Sequence, residues 1–361
     1  MVDCVFLSTE IKYDRGIFAE RVVDGEVKMC YNVKVRKQPD FRRKRMSKIK
    51  LSDDIKKIFV KNRKCIINTD IDGILAGMFL QYFLNWKVVG FSSCSGAKND
   101  ELWLTDKNLD LKDCVFVDLP VSIPGYAVVD QHFVSYDKAA VDAYKADGNK
   151  ANPNVMRERV FWKKGAGGEY TAKYPFGTVH FVLAVLENMG IIDSSYKINP
   201  AKKIGDFELA DLIFRADRVI GNTVQYTDNC KDWADWLIAL GGHNTEALFT
   251  IAKKEYAERK TAETKVGAKL KELGCKRADG ECSGLLRAKD RNKTEAYFKF
   301  VADAMELPPL PVEPVEPIGR LAGERTDTAK KNVENVMRAS DTFSYAYVSQ
   351  RQLSYTKIKE K

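Results

Sequence analysis

The sequence predicts an α/β protein, with a parallel-sheet domain followed by a second, smaller C-terminal α/β domain. Three observations carry this. Between residues 51 and 135, short apolar runs alternate with helical patterns. Several of those runs end in an aspartate, at Asp70, Asp118 and Asp130, which sets the acids along one rim of a parallel sheet. At 361 residues the chain is long enough for two cores.

The expected divisions are residues 1–55 (strands and a basic segment), 56–227 (the sheet domain), 228–274 (a helical connector) and 275–361 (the smaller domain). Asp24-Gly25 is a hairpin signal between two strand-like runs. Leu51–Val60 suits a helix, and Lys64–Thr69 a strand. After the Asp70-Ile71-Asp72-Gly73 corner, Ala76–Leu84 reads as a helix. Trp86–Phe91, Cys114–Val117 and Tyr126–Val129 are further strands. The stretch 136–170 looks irregular, with a loop at Asn149–Asn154. Its Gly165-Ala166-Gly167-Gly168 lacks the lysine and hydroxyl of a nucleotide-phosphate loop. Val179–Met189 and Phe207–Phe214 are helical runs, and Lys253–Leu273 is a charged helix suited to joining domains. Prolines 308, 309, 311, 314 and 317 predict an extended surface crossing. The last segment, Thr342–Gln350, alternates like a strand whose aromatics pack.

Composition narrows the class. The start lacks the basic region and apolar core of a signal peptide, and no eighteen-residue apolar run exists. The expectation is a cytoplasmic protein with no membrane segment. The eight cysteines form no C-x-x-C pair, which argues against a zinc knuckle or a disulfide framework. The net charge of +9 permits a polyanionic partner. The densest basic run includes Arg42, Arg43, Lys44 and Arg45, with Phe41 among them. It suits either contact with a phosphate backbone, a solvated loop, or docking on a partner protein.

Carboxylates at sheet rims suit a hard divalent cation. The candidates are Asp70, Asp72, Asp118, Asp130, His132 and Asp217. Each alone has an ordinary alternative, since a strand-end aspartate also caps helices. Their order is more specific. Asn68-Thr69-Asp70-Ile71-Asp72-Gly73, Val115-Phe116-Val117-Asp118, Val128-Val129-Asp130-Gln131-His132 and Ala216-Asp217 follow one another along the chain.

In these motifs the chain resembles the DHH phosphoesterase superfamily, over about residues 60–225. The resemblance implies a DHH-like phosphoesterase domain with a smaller substrate-binding domain, and one or two Mn²⁺ or Mg²⁺ ions. Asp70 and Asp118 would hold one ion. Asp72, Asp118 and Asp217 would hold the other, with Asp118 bridging. Asp130 would orient its neighbours, and His132 would sit near the phosphate. Two departures stand out. Gln131 replaces a histidine ligand, which leaves an amide oxygen as the candidate ligand, and Asn68 stands where many members carry an acid. Gly241-Gly242-His243 has the letters of the family's substrate motif but lies too early, and is read as coincidence.

Two functions follow. One is a metal-dependent phosphodiester hydrolase, exonuclease-like, acting on single-stranded nucleic acid or short oligonucleotides, with Arg42, Arg43, Lys44, Arg45 and His132 on the substrate. The other is a weak or inactive relative that binds nucleic acid or serves in a larger assembly, with a protein partner or as a homo-oligomer.

Overall fold

In the computed structural model the described residues are 22–23, 26–27, 48–93, 102–159, 172–216, 228–254, 256–319, 321–349 and 351–359. The chain divides into two units, Met1–Arg45 and Met46–Lys361. In the first, β1 (Val22–Val23) and β2 (Glu26–Val27) pair antiparallel, Val22 opposite Val27, in the register that the Asp24-Gly25 signal predicts. The candidates Arg42, Arg43, Lys44, Arg45 and Asp217 lie outside the described residues.

The larger unit is organised by a mixed sheet. Its strands are β3 (Lys64–Asn68), β4 (Lys87–Ser92), β5 (Leu102–Leu104), β6 (Cys114–Val117), β7 (Ala127–Val129), β8 (Lys150–Ala151) and β11 (Glu316–Pro317), in the order β11-β5-β4-β3-β6-β7-β8. The neighbours from β4 to β8 run parallel, whereas β5 is antiparallel to β4, and β11 to β5. The sheet is therefore mixed rather than purely parallel. Its antiparallel edge and β8 are two- and three-residue pieces, too short to show a period in sequence.

The strands sort their residues by alternation. Cys65 and Ile67, Val115 and Val117, and Ala127 and Val129 enter one core, while Ile66, Cys114, Phe116 and Val128 enter another on the opposite face. The first face is covered by α2 (Ile71–Leu84) and, from 178 onward, by α5 (Thr178–Asn188), the short hairpin of β9 (Lys203–Ile204) and β10 (Phe207–Glu208), α6 (Leu209–Phe214), α7 (Asp228–Leu240), α8 (His243–Lys254) and α9 (Tyr256–Glu272). Val266 and Leu270 of α9 are buried in that same core, so this charged helix packs on the domain rather than bridging away from it. Helix α1 (Asp53–Ile58) adds Ile55 and Ile58.

The C-terminal part is shared between two places. Helices α10 (Ser283–Ala288) and α11 (Arg291–Met305) bury Leu285, Phe298 and Val301 in the first core, and the proline-rich stretch ends as the edge strand β11. What stands apart is β-rich. β12 (Leu321–Asp327), β13 (Thr342–Ser349) and β14 (Gln352–Ile358) form an antiparallel sheet in the order β12-β14-β13, crossed by α12 (Lys330–Arg338). Its aromatics pack as the alternation predicts. Phe343 lies against Phe116 and Tyr126, and Tyr345 and Tyr347 share a third core with Val333 and Val336. That core is completed by α3 (Lys138–Ala146) and the single turn α4 (Pro153–Met156). No helix among the described residues is long and apolar enough to cross a membrane.

Candidate metal centre

The chain order decides where the acids meet. From β3 the chain passes through α2 to β4 on one side, while β6 pairs with β3 on the other. The strand order thus reverses between β3 and β6, which opens a crevice at their C-terminal ends. Asp70 and Asp118 flank that crevice.

On the β3 side, Asp70 caps α2 and accepts the Gly73 N–H at 3.2 Å. Gly73 is required by close approach, since a Cβ there would lie 2.4 Å from the Asn68 carbonyl oxygen. Asn68 spans the crevice. Its Nδ2 donates to Asp70 Oδ2 at 3.1 Å and to Asp118 Oδ2 at 2.9 Å. Residues 279–282 buttress this corner, with Ile71 N–H donating to the Asp279 carbonyl and Cys282 N–H to the Thr69 carbonyl. The sequence offered no signal for these bonds, which join segments about two hundred residues apart along the chain.

On the β6 side, Asp118 is fully buried and holds a left-handed backbone, φ 58°. This turns the chain out of the strand while the Asp118 N–H still donates to the Val129 carbonyl at 2.8 Å. Its Oδ1 accepts the Thr178 hydroxyl at 2.7 Å. At the end of β7, buried Asp130 accepts the Phe133 N–H at 2.9 Å and lies 2.8 Å from His132 Nδ1. The same ring nitrogen is 3.5 Å from Asp118 Oδ1.

Ligand atoms of Asp118, Asp130 and His132 therefore lie within 4.8 Å of one another. A cation holding its ligands at about 2.0–2.6 Å keeps them within about 5 Å of each other, so this cluster has the dimensions of a single site. The donor set also fits a hard or borderline divalent ion, two carboxylates and one imidazole. A cation between two such carboxylates offsets their mutual repulsion. The His132 side chain, 28% exposed, leaves the cluster a face open to solvent.

The other predicted residues are placed differently. Asp72 is buried and turned to the start of α5, where its two oxygens accept the N–H groups of Thr178 (2.7 Å) and Val179 (2.8 Å). This is an anion at a helix N-terminus, which the dipole favours. A Cβ on Gly177 would lie 2.7 Å from both of those oxygens. Gln131 Nε2 is 3.0 Å from His132 Nε2, on the ring edge away from Asp130. The Gln131 carbonyl accepts Nδ2 of Asn154 at 2.8 Å, a residue that sequence reading assigned to a loop. Asn154 stands just after Asn152, the N-cap of α4, and the Asn-Pro pair was its one available signal. Gly241-Gly242-His243 opens α8, where Glu187 accepts the N–H groups of Gly242, Asn244 and Thr245. Glu187 is at the far end of α5 from Asp72, about 15 Å along the helix axis.

His180 sits in the first turn of α5. Its Nδ1 accepts the Gly177 N–H at 3.1 Å, and its ring packs against Phe176, Phe214 and Phe249. Burial holds the imidazole neutral, with its pKa pushed down to about 3.

Comparison with protein-family models, with curated proteins and with solved structures finds no match for this chain.

Proposed function

We propose that the protein is a divalent-cation-dependent phosphodiester hydrolase of the DHH type, acting on single-stranded nucleic acid or short oligonucleotides, with Mn²⁺ or Mg²⁺ held by Asp118, Asp130 and His132. The observation that carries this reading is the convergence of those three ligand atoms within 4.8 Å at a sheet crevice. A cation bound there supplies Lewis acidity toward a phosphoryl oxygen and favours ionisation of a water. The chain's own residues supply the rest. Thr178 and Asn68 orient the Asp118 carboxylate through its two oxygens. Asp130 orients the His132 ring, and Gln131 bounds its outer edge. Asp70 is joined to Asp118 through the Asn68 amide, which fixes the two acids on either side of the crevice.

One cation is favoured over two. The Asn68 amide lies between Asp70 and Asp118, and Asp72 is engaged by α5. The same features favour a second reading, a protein that binds nucleic acid with little turnover, alone or within an assembly. The basic run with Arg42, Arg43, Lys44 and Arg45 serves either reading as a phosphate-backbone contact.

Calorimetric titration with Mn²⁺ tests the centre, followed by incubation with end-labelled single strands. The expected result is one site per chain, abolished in Asp118→Asn and Asp130→Asn, with cleavage lost in parallel. Undiminished Mn²⁺ binding in both variants would sink the centre. Binding without cleavage would select the second reading.

A further inference from the structure

On the segment that Asn154 ties to the turn carrying His132, the structure assembles a second cluster of charge. Helix α4 ends at Arg157, and Glu158 takes a left-handed backbone, φ 53°. That turn brings Arg157 and Arg159 to the same side. The Arg157 guanidinium carbon stands 4.4 Å from the centroid of the Trp233 ring, and that of Arg159 5.4 Å. Trp233 itself is fully buried, so the stack gives both planar groups a rigid floor. The carboxylate between Arg157 and Arg159 points the other way, as Glu158 pairs with Lys145 at 2.7 Å and with Lys138 at 3.7 Å.

Two guanidinium groups then share one acidic group. Asp232 Oδ2 lies 2.8 Å from Arg157 Nη1 and 3.3 Å from Arg159 Nη2. The Arg157 approach is an ion pair without hydrogen-bond alignment, and the buried Arg159 Nε makes no hydrogen bond among the described residues. About a fifth of each side chain stays open, 20% and 22%. A surface staple needs one cation for its one anion. Here, among the described residues, two cations share one anion on an aromatic face; Arg157 Nη1 and Arg159 Nε are themselves buried, and the rest of each side chain keeps the open fifth.

Position adds to chemistry. The Arg159 N–H donates to the Asn154 carbonyl at 2.8 Å, and Asn154 Nδ2 donates to the carbonyls of Gln131 (2.8 Å) and Phe133 (3.3 Å). The arginine turn is thus tied to the two residues on either side of His132. A chain of phosphates with one member at the metal cluster would present its neighbours to this turn.

We infer that Arg157 and Arg159, stacked on Trp233, form a phosphodiester-binding subsite that holds the strand of a single-stranded oligonucleotide beside the Asp118–Asp130–His132 cluster. Its place in catalysis rests on the hydrolase reading, but its binding does not require the cation. Planar forks suit phosphate oxygens, and the guanidinium planes, held on the buried Trp233 ring, can also stack on the bases of a single strand.

The test is fluorescence anisotropy with a 5′-labelled dT12 strand in EDTA, across a series of KCl concentrations. R157Q/R159Q is expected to weaken binding by about tenfold or more, the loss of hydrogen bonds to charged groups. It should also flatten the salt dependence by about 0.7 in log–log slope for each phosphate that is no longer neutralised. D232N is expected to tighten binding, because it removes the competing anion. A purely structural role reverses that last sign, since D232N would then loosen α7 from the turn as the arginine variants do. Unchanged affinity and slope in R157Q/R159Q would overturn the inference. So would weaker binding by D232N, or a polyglutamate peptide that competes as well as unlabelled dT12. Because EDTA is present, a negative result here leaves the Mn²⁺ titration of the metal centre standing, and a failure of that titration leaves this binding result standing.

Discussion

At the scale of single residues, two amides decide how the centre works. Asn68 occupies a position where an acid would raise the negative charge, and its Nδ2 joins Asp70 to Asp118 in the manner of a neutral bridge. Replacing that donor with a carboxylate brings a third acid onto the crevice, which calls for a second cation. Asn68→Asp is therefore expected to raise Mn²⁺ stoichiometry from one to two per chain, measured by calorimetry; a stoichiometry still at one would show that the bridge is not what excludes the second ion. Gln131 acts on the ring of His132. Its amide oxygen or nitrogen meets Nε2 according to where the ring proton lies, and with the proton on Nδ1, facing Asp130, the Gln131 N–H donates to Nε2. His132 would help hold a cation as a neutral imidazole, and Gln131, whose amide offers both a donor and an acceptor, would suit either tautomer of the ring. The identities of Asn68 and Gln131 were legible as departures from a pattern. The Asn68–Asp118 contact was not, because a hydrogen bond across fifty residues leaves no local mark.

At the scale of elements, α5 is the piece that holds the crevice in shape. Its first turn is bound by Asp72, its Thr178 hydroxyl fixes Asp118, and its last turn carries Glu187, which caps α8. The D-x-D spacing suggested two ligands; in the structure Asp70 caps its own helix, and Asp72 accepts from one in a distant part of the chain. Asp72→Ala removes the acceptor for two buried N–H groups, at a cost of about 2–4 kcal/mol. The expected outcome is a lower denaturant midpoint with Mn²⁺ affinity unchanged; an intact midpoint with lost affinity would return Asp72 to the ligands. The apolar interior of α5 was readable from its run of Val, Phe and Leu. The capping was not, since nothing local to Thr178 names Asp72. The central strands were equally readable, as buried parallel strands form continuous apolar runs. Edge pieces such as β8 and β11 carry too few residues for any pattern to register.

For the whole molecule, stability should depend on acidity through a group outside the crevice. His180 is buried in an aromatic shell and stays neutral down to about pH 3, whereas in the unfolded chain it gains a proton near its ordinary value of 6.5. Below pH 6.5 the unfolded state binds the extra proton, so the stability held above that pH is lost as pH falls toward 3. The slope is about 1.4 kcal/mol per pH unit. Urea unfolding from about pH 7 to about pH 4 checks this, with His180→Phe expected to remove that part of the slope. An identical slope in the variant would assign the acid sensitivity elsewhere. The same scale shows why the division of the C-terminal region was hard to read. Leu285, Phe298 and Val301 are apolar in any packing, and their place in the first core follows a segment, 279–282, that bonds to the distant Asp70 corner.

The left-handed backbone at Asp118 limits what can stand there. Most side chains resist that conformation, while asparagine, aspartate and glycine enter it with little strain. The position therefore tolerates a very short alphabet even before any chemistry is demanded of it. Asparagine keeps the turn and discards the charge; alanine disturbs both. A library of variants at this one site would separate the shape of the crevice from its affinity for a cation.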